Sequence, residues 1–182
     1  VVQINRKKIF FDPNFNCRGH VAPIDVVDLA KDIERHGLQF PITVRHLIDG
    51  EIRLYKDQEY KLISGHRRYV AFEVLNREFI DCIIKENISE SEALILNLGE
   101  NIHRKSLNIL QEAKAIERLK MEGFTMSEVA EELGKNVAWV QVRFLLLELP
   151  EDIQKASAAG FITQEHIRAL RKLPTVKEQL LA

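Results

Sequence analysis

"LISGHRRYVAF", residues 62–72, runs from an apolar strand end through a glycine into a helical stripe, with Arg67 and Arg68 directly behind the turn. A strand that enters a helix through Ser64 and Gly65 offers the turn free backbone N–H groups and the positive end of the helix dipole. Gly65 permits close backbone approach, and Arg67 and Arg68 add planar, permanently charged donors suited to phosphate oxygens. Two readings follow: a phosphate site, or solvated arginines near a helix start. It is not a Walker A loop, because no GxxxxGK[ST] occurs in the chain.

Upstream, "VVQINRKKIFF" is strand-like, and "DVVDLAKDIERHG" carries Val26, Leu29, Ala30 and Ile33 on one helical face before Gly37. "PITVRHLI", "IRLY" and "YKLIS" read as short strands around a turn at Asp49-Gly50, two of them fitting a hairpin. Helical spacing covers residues 66–75, and the Ile-rich "FIDCIIK" is a further strand. From Ser89 the strand signal ends. Ser89/Glu92, Asn108/Gln111 and Thr125/Glu128 each pair a capping side chain with an acceptor three residues on. Gly123, Gly134, Gly160, Pro150 and Pro174 stand where helices should stop. The expected class is α+β, with a small mixed α/β domain over residues 1–105 and an all-helical domain over residues 106–182.

Within the helical half, "TMSEVAEELGKNVAWVQVRFLLLELP" sets Ala130 and Gly134 four residues apart, with Val129, Leu133 and Val140 as packing positions. A small residue lets two helices approach and the glycine permits a sharp turn, which is the helix-turn-helix pattern; an ordinary helical hairpin has the same signature. Asn136 caps the second helix, whose N-terminal residues would then lie near base edges in the major groove. Its buried face is expected to be Val140, Phe144 and Leu147, with Trp139 pointing outward, against DNA or another domain. Thr125, Lys135, Asn136, Ala138, Trp139, Gln141 and Arg143 form the expected DNA-binding set. For Gln141 and Arg143 the choice is base or phosphate contact against solvated surface. His166 and Arg168, on the capped helix in "GFITQEHIRALRKLP", are expected at phosphates and would fix register.

A second polar cluster, "GENIHRKSLNILQEA", places Glu100, Asn101 and Arg104 between two expected helices. A carboxylate and an amide oxygen at adjacent positions suit Mg²⁺ that is also bound to phosphates, and Arg104 would neutralise charge. The alternative is an interhelical cap with surface charges.

Bulk properties narrow the class. The 182 residues are 46% hydrophobic and 29% charged, with 8 Gly and 5 Pro, which is a globular composition. A net charge of -1 means that any nucleic-acid surface is a local patch. Cys17 and Cys82 are far apart with no CxxC, as expected of reduced thiols in a cytosolic protein. No apolar run exceeds four residues, against the roughly 20 of a membrane span. Nor is a signal peptide recognised. The chain begins without Met and stops at "KEQLLA" inside an expected helix, so an excised fragment is expected.

The ordered motifs resemble the ParB family of chromosome and plasmid partition proteins. "PNFNCRGHVAPIDVVDLAKDIERHGLQFPITVR" is similar to the family's N-terminal pattern, "GHRRYVA" to its arginine-rich box, "ENIHRKSLNILQEA" to its second box, and residues 125–170 to its helix-turn-helix region. The resemblance implies a ParB/sulfiredoxin-like first domain and a homodimeric clamp that binds CTP with Mg²⁺, reads a palindromic centromere-like site in double-stranded DNA, then closes and slides. It implies slow hydrolysis of CTP to CDP and phosphate, with Glu100 and His66 as catalytic candidates. Arg18, Ser64, Gly65, His66, Arg67, Arg68, Glu100, Asn101 and Arg104 would contact the nucleotide, and Glu100 and Asn101 the metal. A cytoplasmic, nucleoid- or plasmid-associated protein is implied, meeting a ParA-type ATPase through segments outside this sequence, as is a further dimerisation domain.

There are departures from the family pattern. His66 stands where many chromosomal members carry Glu, "NFNCRG" lacks Gln-Pro before its arginine, and "KNVAWVQVR" is an unusual recognition-helix start. A plasmid or phage member, or a specialised paralogue, fits these differences. A sulfiredoxin-like reductase is disfavoured, since its cysteine position is His66 here and neither Cys17 nor Cys82 is near in sequence; the attached helix-turn-helix argues against a ParB-like phosphotransferase; a helix-turn-helix repressor or nucleoid-binding paralogue is the further alternative. Nuclease chemistry is disfavoured, since no paired acidic residues are arranged for two metals.

Overall fold

The computed structural model describes residues 1–55 and 57–181, so Ala182 of "KEQLLA" lies outside the described residues. The chain divides into two compact units, 1–93 and 94–182.

The first unit is mixed α/β. Its strands are β1 (Val2–Asn5), β2 (Ile9–Phe10), β3 (Ile42–His46), β4 (Tyr60–Ser64) and β5 (Phe79–Lys85), and its helices are α1 (Val27–His36), α2 (Asp49–Ile52) and α3 (His66–Val74). The sheet order is β1-β5-β3-β4-β2. β1 pairs antiparallel with β5 and β3 antiparallel with β4, whereas β3–β5 and β2–β4 are parallel. The expected single strand "VVQINRKKIFF" is thus broken. A 3₁₀ turn at Arg6–Lys8, closed by the Asn5 side chain on the Lys7 N–H, sends its two halves to opposite edges of one sheet.

The core of this unit lies between the sheet and α1 and α3. Ile42 and Val44 of β3, Leu62 of β4, and Ile80 and Cys82 of β5 meet Ala30 and Ile33 of α1 and Val70, Ala71 and Phe72 of α3. α1 spends its expected stripe there and stops at Gly37, whose φ of 75° ends the helical path. Cys17 and Cys82 are both free and buried, and burial pushes the Cys82 thiol up to about 12.

A second expectation also fails in this unit. "IRLY" is not a strand, and Asp49-Gly50 is not a hairpin turn. Residues Asp49–Ile52 form the short helix α2, which the Glu51 carboxylate caps by accepting from the Ile48 N–H at 3.0 Å. β3 and β4 still pair antiparallel, around a longer connection.

α4 (Glu90–His103) crosses into the second unit, which contains α5 (Ile109–Met121), α6 (Met126–Glu132), α7 (Val137–Leu147), α8 (Glu151–Ala158), α9 (Gln164–Leu170) and α10 (Val176–Leu181). Each start expected from the capping pairs is present: Asn108 accepts from the Gln111 N–H and Thr125 from the Glu128 N–H, with the reciprocal side-chain bonds. Likewise Ser89 accepts from the Glu92 N–H ahead of α4. Ala113, Val142, Leu146, Leu149, Ile153 and Ile167 make the core that joins α5, α7, α8 and α9.

Candidate functional site

The turn after β4 is built around Gly65. Its φ of 98° is left-handed, and a Cβ there would lie 2.6 Å from Ile42 Cγ2. Only glycine fits both the angle and the gap. It caps α3 without any side-chain bond, and the first turn of α3 contains no acid. Among the described residues, every other α-helix has a side-chain cap, a first-turn acid, or both, down to α7 with its Asn136 cap. The N-terminus of α3 therefore keeps its positive end, and Arg67 and Arg68 add to it.

Both arginines also have structural partners. Arg67 Nη2 donates to the Asp25 carbonyl at 2.9 Å. Arg68 Nη1 donates to the Phe40 and Pro41 carbonyls at 2.7 and 2.6 Å. They pin the chain before α1 and before β3 around the turn. Arg67 is exposed and Arg68 half-buried.

His66 is 4% exposed. Its ring lies edge-on to Phe11 and stacks toward Phe15, with centroids 5.4 and 6.4 Å away. Nε2 is buried with no hydrogen-bond partner among the described residues. Burial, aided by the Arg68 charge and opposed by Asp12, lowers its pKa to about 4, so the ring is neutral at pH 7. Phe15, stacked toward His66, brings the Arg18 loop to this turn, and within that loop Asn16 Oδ1 accepts from the Arg18 N–H and its Nδ2 donates to the Gly19 carbonyl. Ser64, buried at the end of β4, completes this set.

A buried ionic network in the first unit had no counterpart in the sequence reading. Arg45, 1% exposed, donates to both Glu51 oxygens at 2.7 and 2.8 Å and also pairs with Glu90 at the start of α4. Lys61, on the neighbouring strand, meets Glu90 at 2.7 Å, Glu51 at 3.4 Å and Asp12 at 3.6 Å. Burial opposes ionisation of Glu51, but bonds from Arg45 and the Ile48 N–H, with the Arg45 and Lys61 charges, hold its carboxyl below the usual range. Lys61 Nζ also lies 4.9 Å from the centroid of Phe15, the residue packed on His66.

In the second unit, Glu100 and Asn101 lie in the last turn of α4 rather than between two helices, whereas Arg104 does fall between α4 and α5 as expected. Glu100 Oε1 pairs with Arg104 at 2.8 Å. Asn101, 9% exposed, donates to the Asn97 carbonyl and accepts at Oδ1 from Ser106 Oγ at 3.1 Å. Among the described residues no three His, Cys, Asp or Glu side chains cluster as a metal site. A carboxylate plus an amide oxygen suits Mg²⁺ only where phosphates and water complete the shell.

α6 and α7 form the helix-turn-helix. Val129, Ala130, Leu133 and Val140 are buried, and Gly134 turns the chain at φ 61°. Asn136 Oδ1 accepts from the Trp139 N–H at 2.8 Å. The buried face of α7 differs from the expected one: Val140, Val142, Arg143 and Leu146 are inside, whereas Phe144 and Leu147 are half-buried. Arg143 is no surface residue. It is 4% exposed and pairs with Glu112 of α5. Nor does Trp139 project freely outward, for it is half-buried with the Arg143 guanidinium 3.6 Å and Lys135 Nζ 5.6 Å from its ring centroid. Thr125, Lys135, Ala138, Gln141, His166 and Arg168 are exposed. His166 Nδ1 accepts from the Thr163 N–H and so caps α9.

Comparison with known proteins bears on both units. The ParB N-terminal domain model matches residues 1–102, and the ParB HTH domain model matches residues 105–182. The chain belongs to the ParB family. A nucleoid occlusion protein from Bacillus velezensis is 37% identical over 174 residues, covering 93% of this chain and 59% of that one. Another from Oceanobacillus iheyensis is 35% identical over 156 residues, covering 85% and 52%. The chain thus spans a little over half the length of these relatives. The crystal structure of C-terminally truncated ParB from Caulobacter crescentus complexed to the centromeric parS site matches with TM-score 0.64 and 25% identity, over 98% of this chain and 88% of that one. Within a ParB fold, the Gly65 turn falls in the N-terminal domain and α6–α7 in the helix-turn-helix domain.

Proposed function

We propose that this ParB-family chain is a CTP-dependent DNA-binding protein of partition or nucleoid occlusion, closing around DNA as a homodimeric sliding clamp. The observation that carries the nucleotide site is the N-terminus of α3, a helix left with neither side-chain cap nor first-turn acid, with Arg67 and Arg68 at its mouth. The triphosphate takes the α3 amides and the two guanidinium groups, which exchange backbone carbonyls for phosphate oxygens. Arg18 lies in the loop that Phe15 packs on this turn. By motif, Asn101, Glu100 and Arg104 serve the same nucleotide, with Mg²⁺ on Glu100 and Asn101, whose present partners are Arg104 and Ser106.

Bound Mg²⁺ supplies charge neutralisation of the phosphates. His66 is a neutral imidazole with one donor and one acceptor nitrogen, so its buried Nε2 donates or accepts a single hydrogen bond according to the tautomer. It carries no negative charge toward the phosphates, as Glu would; slow turnover to CDP and phosphate follows from the family pattern, not from His66. DNA binding rests on α6–α7, with α9 at phosphates, and two copies would read the two halves of a palindrome. The names of the relatives, nucleoid occlusion protein and parS-bound ParB, support that part of the reading. A ParA-type ATPase would be met through segments outside this sequence.

A nucleotide-independent repressor is the second reading, favoured by the structural bonds that Arg67 and Arg68 already make. Calorimetric titration with CTP, ATP and GTP, with and without duplex, separates the two. CTP binding in preference to ATP and GTP supports the clamp; a folded sample that binds none of the three leaves the repressor.

A further inference from the structure

The exposed surface at the start of α7 is unusually apolar for a DNA-reading helix. Its sequence is VAWVQVRFLLL, in which Gln141 and Arg143 are the hydrogen-bonding side chains besides the indole of Trp139. Arg143 is withdrawn: its Nε and Nη2 both bond Glu112 Oε2, its Nη1 bonds the Trp139 carbonyl, and its guanidinium covers the Trp139 ring. Asn136 is spent on capping, and Lys135, before the helix, holds its Nζ 5.6 Å from the Trp139 ring centroid. What α7 presents is Val137, 37% exposed, together with Ala138 and Gln141.

The major-groove code then decides the ligand. Guanine is read best by Arg or Lys on O6 and N7, and cytosine by a carboxylate on N4. α7 has no lysine and no acid, and its one arginine is buried. Gln matches the adenine N7 and N6 edge, and small apolar side chains pack on the thymine 5-methyl group. We infer that α7 reads A·T base pairs, through thymine methyl groups at Val137 and Ala138 and an adenine edge at Gln141, and that Arg143 is a positioning residue that reads no base. This rests on the proposed DNA-binding function of α6–α7.

The test uses the whole chain and a randomised duplex pool, followed by chemical editing of the enriched duplex. Replacing thymine by uracil removes only the methyl group. At the contacted positions it should weaken binding about fourfold per methyl, from about 0.8 kcal/mol per buried methyl-sized group. Val137→Ser should abolish the uracil penalty at one position. Gln141→Ala should relax preference at one A·T pair, by roughly 5- to 150-fold in discrimination. The double variant Glu112→Leu/Arg143→Met should keep the wild-type base preference. An enriched site that is indifferent to uracil at every thymine, or one whose preferred base changes in the double variant, overturns the inference while leaving DNA binding intact. A pool from which nothing is enriched removes the DNA-reading function itself, and the inference with it.

Discussion

Arg143 and Glu112, thirty-one residues apart, meet through two hydrogen bonds to one carboxylate oxygen, at 2.9 and 2.7 Å, in the interior of the helical unit. The pair fixes α7 to α5 and sets the plane on which Trp139 lies. Burial lowers the Arg143 pKa against the pull of Glu112, as expected of a charge whose desolvation has to be offset by its partner.

Removing one partner of this pair should be costly. Arg143→Ala strands the Glu112 carboxylate and is expected to destabilise the helical unit by about 3–5 kcal/mol. Urea denaturation followed by helical circular dichroism measures it. Glu112→Leu/Arg143→Met, which replaces both charges with apolar volume, should recover most of that loss. A single variant as stable as wild type would show that the pair does not hold α7.

Gly65→Ala tests the turn itself. The new Cβ would face Ile42 Cγ2 at 2.6 Å in a backbone conformation that alanine rarely adopts. Stability should fall by more than about 1 kcal/mol, and nucleotide binding should be lost with it. Unchanged thermal denaturation would mean that the turn relaxes at no cost.

His66 should give the first unit an acid-sensitive stability. Its folded pKa is depressed to about 4 from 6.5. Between those values the unfolded chain binds more protons than the folded one. The contribution of His66 is therefore fully present above pH 6.5, declines as pH falls, and is lost below about 4; the shift corresponds to about 3 kcal/mol. Glu51 adds a carboxylate contribution lost at lower pH, since its folded pKa is held below the ordinary value. Denaturation at pH 7.5 and pH 4.5 should show a smaller difference for His66→Gln than for wild type. Equal differences would mean that His66 titrates normally.

The elements whose signals are local were legible in the sequence. Asn108, Thr125 and Asn136 each cap the helix that they announce, because a cap needs only a side chain and an amide three residues on. Gly65 was legible for the same reason. What depends on distant partners was not. Arg143 reads as a DNA contact or as solvated surface until Glu112 is placed beside it, and the role of Arg45 has no local signal, because its partners Glu51 and Glu90 come from other elements. Short strand-like runs also mislead: "IRLY" has β-type spacing, but Glu51 caps Ile48 and the chain coils into α2. Nor could spacing reveal that the two halves of "VVQINRKKIFF" reach opposite sheet edges. The α7 face was misplaced because FLLL is apolar all round and carries no period of its own.

The central claim is that the α3 N-terminus binds a triphosphate, and the most direct measurement compares wild type with Arg67→Ala in paired titrations of CTP and of the enriched duplex. Arg67 is exposed and donates to the Asp25 carbonyl, so its loss should change folding stability by no more than about 0.5 kcal/mol. The predicted result is loss of CTP binding with site-specific DNA affinity retained. CTP binding that persists unchanged in the variant, or a wild-type protein that binds no CTP at all, would contradict the account.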